Sequence, residues 1–153
     1  MQKKLLENRK FLIISLTALL IVFFDQSAKF LIVKNFKISQ SFPIFNNIFH
    51  LTFVKNTGAG FGILKEFNPF LILISLAVIG IIFYYYKKIK ENEILLQIIV
   101  AFVLGGTMGN LIDRINLGYV IDFLDFRIWP VFNIADSFIS IGIIGLIIYF
   151  WRD

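Results

Sequence analysis

The sequence predicts a membrane protein, an all-α bundle of four transmembrane helices with a small extracytoplasmic β-sheet. Hydrophobic residues make up 58% of the 153 residues and charged residues only 16%, and the mean hydropathy is +0.82. Soluble domains carry about 25% charged residues, and a chain this short cannot bury so much apolar surface in one core. The composition therefore excludes a soluble globular domain and a disordered chain. Four long apolar stretches predict the helices, and a period-2 pattern between the first two predicts the sheet.

Each apolar stretch is long enough to span a bilayer, which takes about 20 residues at about 1.5 Å rise per residue. The stretches cover residues 11–33, 67–86, 94–112 and 131–151 approximately, within a single domain over residues 1–153. The basic start and the first apolar run are also typical of a signal peptide, but no A-x-A cleavage site follows. We therefore expect an uncleaved first helix. Asn68 and Pro69 are expected to be the N-cap and N1 residues of the second helix.

An external segment of about residues 37–65 lies between the first two helices. Ile38, Gln40, Phe42 and Ile44 share one parity, Asn46 and Asn47 offer a turn, and Phe49, Leu51 and Phe53 alternate with His50, Thr52 and Val54. Such alternation is typical of strands. We expect a small sheet on the outer membrane face, with its apolar side toward lipid or substrate. The second external segment, from Gly118 to Pro130, is expected to be a loop.

Basic residues beside the apolar stretches indicate the orientation in the membrane. One side holds Lys3, Lys4, Arg9, Lys10, Lys87, Lys88, Lys90 and Arg152, and the other holds Lys29, Lys34, Lys37, Lys55, Lys65, Arg114 and Arg127. Their density in short flanks favours both termini on the cytoplasmic side. The net charge of +5 suits a membrane surface, so we expect no nucleic-acid partner.

Missing residue types exclude several chemistries. The sequence has no cysteine, which excludes disulfides, a thiol nucleophile and a cysteine-zinc site. Its one histidine, His50, cannot form an HExxH zinc site, and a Ser-His-Asp triad would have to use it. We expect His50 to be a solvated or hydrogen-bonded strand histidine.

Charged residues at the apolar stretches need a structural or functional reason, because charge in a membrane span is costly. Asp25 and Lys29 are four residues apart on one helix face, as in a structural ion pair or a proton or substrate site. Asp113 and Arg114 are expected to form an interfacial pair that closes the third helix. Small residues just before them predict close helix packing, namely Gly105, Gly106 and Gly109.

Asp122 and Asp136 belong to the outer end of the bundle. Fourteen residues separate them, and Pro130 helps the chain turn back between them. Two carboxylates at close range in a dry site cannot both ionise, and such a pair supplies the base and the acid of an aspartic protease. The alternative is two separate interfacial aspartates. We interpret Asp125, a third nearby carboxylate, as a solvated loop residue.

Five motifs occur in order along the chain. They are DQSAK at 25–29, VKNTGAGFG at 54–62, GGTMGNLIDR at 105–114, GYVIDF at 118–123 and FNIADS at 132–137. Together they resemble lipoprotein signal peptidase (signal peptidase II), a family of bacterial inner-membrane aspartyl proteases, over nearly the whole chain. Gly60 departs from the family pattern, which more often has alanine there.

The resemblance implies that Asp122 and Asp136 are the catalytic pair. It also implies supporting roles at the site for Asn56, Asn110, Arg114, Asn133, Asp25 and Lys29, with Asp113 next to the site. The implied substrates are prolipoproteins that carry a diacylglyceryl group on a cysteine, and the cut falls just before that cysteine. Globomycin-type inhibitors and membrane lipids are implied partners, and no metal or cofactor is implied. The active site is expected near the extracytoplasmic face of the inner membrane, with Asn56 placed to bind an extended substrate backbone.

Two other functions compete with this reading. A small proton-coupled transporter would use Asp25, Lys29 and the other acids as a relay, but the sequence has no inverted repeat and its acids cluster at one membrane face. A Ser/Lys peptidase would need a serine beside Lys29, and the nearest, Ser27, is two residues away and points off that helix face.

Overall fold

The computed structural model describes residues 2–58 and 67–151, with side chains of the first helix from Arg9 onward. The elements in chain order are α1 (Gln2–Asn35), β1 (Ser41–Phe45), β2 (Phe49–Asn56), α2 (Asn68–Tyr86), α3 (Ile94–Leu117), β3 (Val120–Asp125) and α4 (Ile134–Trp151). In this part of the chain, four helices are long and apolar enough to cross a membrane, which confirms the predicted fold class. Gly60, Lys65, Arg152 and the side chains of Lys3 and Lys4 lie outside the described residues.

Several helix ends differ from the expected ones. α1 runs from Gln2 to Asn35, beyond the expected residues 11–33 at both ends. α3 continues to Leu117 and ends at Gly118, whose φ of 81° suits glycine and whose N–H bonds to the Arg114 carbonyl. α4 begins at Ile134, because Asn133 forms hydrogen bonds with its first turn. Asn68 is the first residue of α2 and not its N-cap, since its side chain donates to the Arg114 carbonyl at 3.1 Å. Pro69 lies in the first turn as predicted.

α3 is the central helix of the bundle. In its most apolar window 72% of the residues are buried, against 11–22% in the other three helices. A side chain at Gly105 would lie 2.8 Å from the Ala18 carbonyl of α1, and one at Gly109 would lie 2.7 Å from the Asp25 carboxylate. Gly106 meets the backbone of α4 at Ala135. The predicted close packing at these glycines is confirmed, and it brings α1 and α4 against α3 at the level of the polar residues.

The external sheet has three antiparallel strands in the order β1-β2-β3. The hairpin of β1 and β2 was predicted, but β3 lies where a loop was expected. β3 is buried along almost all its length, so its apolar residues do not alternate with polar ones as in a half-exposed strand. Phe53, Ile121 and Phe123 pack with Ile32 of α1. β3 therefore fixes the sheet to the helix bundle.

Candidate active site

Asp122 lies in the middle of β3, opposite Val54 of β2, and is only 1% exposed. The Asn56 side chain donates a hydrogen bond to one carboxylate oxygen at 2.8 Å, and the Asn133 side chain donates to the other at 2.7 Å. Burial and, to a lesser extent, the charge of Asp136 raise the pKa of Asp122 to about 7, although the hydrogen bonds from Asn56 and Asn133 and the charge of Lys29 act to lower it. Asp122 therefore titrates near neutral pH.

Asp136 is the third residue of α4 and takes part in the cap of that helix. Its backbone N–H donates to the Asn133 side-chain oxygen at 2.8 Å, and its carboxylate accepts from the Asn133 N–H at 3.3 Å. This reciprocal pair is a capping box, with asparagine and aspartate at the two positions. The Asn110 side chain donates to the other carboxylate oxygen at 2.7 Å. The local sequence that starts α4 thus also orients Asp136.

Asn133 connects the two carboxylates. Its side chain donates to Asp122 and its backbone N–H donates to Asp136, and no part of the residue is exposed. The same side chain donates to the Asn110 oxygen at 3.1 Å, and Lys29 donates to that oxygen at 3.1 Å. Because the Asn110 oxygen is bound twice, its amide nitrogen faces Asp136. Because Asn56 also donates to Asp122, predicted residues from all five motifs form one hydrogen-bonded network.

A cluster of buried charges lies beneath this network. The Lys29 ammonium is 2.8 Å from the Asp25 carboxylate and 2.9 Å from that of Asp113, and all three side chains are at most 3% exposed. The Asp25–Lys29 ion pair is thus present. The expected Asp113–Arg114 pair is wrong, because adjacent helix residues face different directions and Asp113 faces Lys29. We call Asp25, Lys29 and Asp113 the buried triad.

The buried triad also positions backbone of the site. Asp25 accepts from the Ala135 N–H at 2.9 Å, and Asp113 accepts from the Ile121 N–H at 3.0 Å. These bonds fix Ala135 and Ile121, the residues immediately before Asp136 and Asp122. Gln26 donates to Asp113 at 2.9 Å and to the Gly109 carbonyl at 3.1 Å. Sequence reasoning missed Gln26, although it lies inside the DQSAK motif.

Asp122 and Asp136 both line an open cleft of about 870 Å³. Arg114 lines the same cleft, and its guanidinium lies 3.4 Å from the Gly58 carbonyl. Apolar side chains of α4 and of the loop before it form much of the remaining wall, including Trp129, Ile139 and Ile141. The cleft therefore combines a polar end with two carboxylates and an apolar wall. This arrangement suits hydrolysis of a peptide bond in a substrate that is largely apolar.

The other chemistry-bearing residues are engaged elsewhere. His50 lies in β2 with its Nδ1 atom 3.0 Å from the Ser41 hydroxyl, as predicted for a hydrogen-bonded strand histidine. Ser27 lines a separate shallow groove on α1, while Lys29 is bound in the buried triad, so no Ser/Lys pair forms. The interpretation of Asp125 as a solvated loop residue is wrong. It is 5% exposed and accepts hydrogen bonds from Thr52 and Arg127.

Comparison with known proteins identifies this arrangement. A family model described as signal peptidase (SPase) II matches residues 17–152. The chain belongs to the signal peptidase II family. It is 44% identical to a lipoprotein signal peptidase of Halothermothrix orenii, covering 90% of this chain and 94% of that protein. It is 42% identical to that of Nostoc punctiforme, covering 94% of this chain and 90% of that protein.

Solved structures agree with the fold. A bacterial membrane enzyme determined by the in meso method at 2.3 Å resolution superposes with a TM-score of 0.87 at 34% identity, covering 92% of this chain and 88% of that one. A second such structure, at 1.9 Å resolution, has a TM-score of 0.83. The protein is a multi-pass membrane protease of the aspartyl type that removes signal peptides from lipoproteins. The family assignment overturns the transporter alternative.

Proposed function

We propose that Asp122 and Asp136 are the catalytic pair of this peptidase. The proposal depends on one observation. Asn133 donates a hydrogen bond to each of the two carboxylates, and both carboxylates line the cleft. The pKa of Asp122, raised to about 7 by burial and by the charge of Asp136, keeps one proton on the pair near neutral pH. The pair titrates as a unit, so the proton belongs to both residues.

Because the pair holds one proton, one carboxyl group acts as a base and the other acts as an acid. The ionised carboxylate takes a proton from water as the water oxygen attacks the scissile carbonyl carbon. The protonated carboxyl group donates its proton to the carbonyl oxygen, which produces a neutral tetrahedral intermediate. When this intermediate collapses, the first carboxyl group returns its proton to the departing amine and the second recovers its own. The cycle restores the starting protonation of the pair.

The remaining predicted residues support this pair. Both polar atoms of the Asn56 side chain are engaged, because it donates to Asp122 and accepts from the Gly58 N–H at 2.9 Å. We therefore propose that Asn56 orients Asp122 and, because it also lines the cleft, donates its second amide hydrogen to the substrate backbone as expected. Asn110 and Asn133 orient Asp136, and Arg114 contributes positive charge to the cleft. The buried triad of Asp25, Lys29 and Asp113 fixes the backbone beneath them.

The same cleft suits a lipid-bearing substrate. Its apolar wall lies on α4, so a diacylglyceryl chain can stay in the bilayer while the peptide reaches the aspartates. We propose that cleavage falls just before the lipid-bearing cysteine, that globomycin-type inhibitors occupy this cleft, and that residues 1–153 form one peptidase domain. We place the enzyme in the bacterial inner membrane with both termini cytoplasmic and the cleft near the outer face. The exposed apolar side chains of Phe42 and Ile44 support contact of the sheet with membrane lipid.

The test uses purified enzyme in detergent with one prolipoprotein prepared with and without its diacylglyceryl group. The wild type should release a signal peptide from the lipidated form alone, and mass spectrometry should find a product that begins at the modified cysteine. Asp136→Asn should leave the lipidated form intact. Cleavage at another bond, or equal cleavage of the unlipidated form, would contradict the proposed substrate.

A further inference from the structure

Asp125 holds the turn that follows β3. Its carboxylate accepts from the Arg127 backbone N–H at 2.9 Å and from the Arg127 guanidinium at 2.9 Å. Arg127 has a φ of 66°, a left-handed conformation that is unfavourable for a side chain of this kind. Two charge-assisted bonds to one buried carboxylate are what keep Arg127 in this conformation. Burial opposes ionisation of Asp125, but hydrogen bonds from Thr52 and Arg127 and the Arg127 charge hold its pKa below the usual range.

Asp125 lies three residues after Asp122 on β3, so the two side chains point to opposite faces of the sheet. The pairing of β2 with β3 shifts by one residue between Leu51 and Val54, so Asp125 lies opposite His50. There Thr52 donates to the Asp125 carboxylate at 2.7 Å. The carboxylate is thus fixed from two sides, by a strand and by the turn. It contacts neither Asp122 nor Asp136 within the hydrogen bonds of the described residues, so it has no direct part in the chemistry.

The turn that Asp125 holds forms one wall of the cleft. Trp129 and Pro130 line the cleft directly, two and three residues after Arg127. Phe126 stacks on Phe132 with ring centroids 5.9 Å apart, and Phe132 also lines the cleft. A change in the conformation of Arg127 therefore moves Trp129 relative to the aspartates on the facing side.

We propose that Asp125 is a positioning residue for substrate binding, which holds the Arg127 turn so that Trp129 forms the outer wall of the cleft. The proposal rests on the cleft being the substrate site. Loss of the Asp125 charge should loosen that wall and leave the catalytic pair in place. The effect should therefore fall on KM and not on kcat, because the wall binds the substrate and its transition state alike.

The kinetic test compares Asp125→Asn with the wild type on a lipidated prolipoprotein. KM should rise about tenfold, with kcat nearly unchanged. A change of about tenfold corresponds to the loss of one hydrogen bond to a charged group. Arg127→Gly, which accepts a positive φ without help, should restore a near-normal KM when combined with Asp125→Asn. The matched control is Glu93→Gln, which makes the same chemical change in the Lys90–Glu93 pair of another loop. A fall in kcat at constant KM, or no rescue by Arg127→Gly, would overturn the proposal.

A second measurement needs no substrate and no catalytic assignment. The sequence has two tryptophans, so Trp151→Phe leaves Trp129 as the only one. In that background Asp125→Asn should change the Trp129 emission maximum and increase its quenching by acrylamide, and Arg127→Gly should reverse both changes. If the fluorescence responds and KM does not, the turn is held by Asp125 but the cleft wall does not bind substrate. Unchanged fluorescence in the folded Asp125→Asn variant would remove the positioning role.

Discussion

This protein has two pairs of neighbouring carboxylates, and the two pairs differ in their ionic and hydrogen-bonding partners. Asp25 and Asp113 share an ammonium group, because Lys29 lies within 2.9 Å of both. Asp122 and Asp136 receive hydrogen bonds from neutral asparagine amides and a backbone N–H. Among the residues that the structure describes, neither of the latter two forms an ion pair. The first pair contacts one cation, which offsets one of its two charges, and in the described part of the chain the second pair has no cation in direct contact.

This difference separates a structural role for Asp25 and Asp113 from the proposed catalytic role of Asp122 and Asp136. A buried charge with a partner is stable in one protonation state, whereas two uncompensated carboxylates in a buried site compete for one proton. The two groups are nevertheless connected, since Lys29 donates to the Asn110 oxygen and the Asn110 amide donates to Asp136. The buried triad therefore sets the geometry of the proposed catalytic pair while leaving it free to exchange a proton. Four changes test this division.

We expect the largest effect from substitution of Asp122 or Asp136, the proposed catalytic pair. Asp122→Asn and Asp136→Asn should each lower kcat at least about 1,000-fold, because each removes a group that must give or take a proton. The double variant should be little worse than either single one, since the two carboxylates act as a unit. Cleavage of the lipidated precursor by purified enzyme measures this. Near-normal turnover by either folded variant would contradict the division.

Lys29→Ala should instead act mainly on stability. It leaves two buried carboxylates without their cation, and breaking a buried pair costs roughly 3–5 kcal/mol in the free energy of unfolding. Thermal unfolding in detergent should show the loss, while activity per folded molecule falls far less. Lys10→Ala is the matched control, because Lys10 pairs with the partly exposed Glu91 at 2.9 Å. If Lys29→Ala keeps its stability and loses its specific activity, Lys29 belongs to the catalytic group.

Asn56→Ala should have a moderate effect on turnover, about tenfold, without unfolding the protein. The Asn56 hydrogen bond favours the ionised form of Asp122, so its removal should raise the pKa of Asp122 further. The alkaline limb of the pH–rate profile should then move to higher pH. Asn35→Ala, at an exposed asparagine near the end of α1, serves as the control. A profile that stays in place would show that Asn56 does not act through Asp122.

A separate expected effect is on the pH dependence of stability. Burial raises the pKa of Asp122 to about 7 in the folded protein, above its ordinary value of 3.8. The fold therefore favours the protonated form, and this contribution is complete below pH 3.8 and lost as the pH rises through 7. Thermal unfolding of Asp122→Asn should lack this part of the decline between those pH values. An identical pH dependence in the variant and the wild type would contradict the raised pKa.

The helices and the residues of the candidate site could be predicted from the sequence, because long apolar runs and fixed motif spacing are local signals. The sequence did not predict β3, since a strand buried along its length shows no alternation. It also could not assign the partner of Asp113, because Lys29 is distant in the chain and only the packing of α1 on α3 brings them together. Asp125 was misjudged for a related reason. Its partner Thr52 lies on β2, 73 residues away in the chain, and no residue of its own segment indicates that contact.

The position of Asp136 on the last helix has a consequence for the biogenesis of the enzyme. During translation the strands and Asp122 are made before α4, so an incompletely synthesised chain contains Asn56 and Asn110 without Asn133 or Asp136. Such a chain holds only Asp122 of the proposed catalytic pair and cannot perform the two-proton cycle. Under the proposed assignment, we expect the protease to stay inactive while its own apolar segments are being inserted. Activity should begin only when the fourth span has joined the bundle.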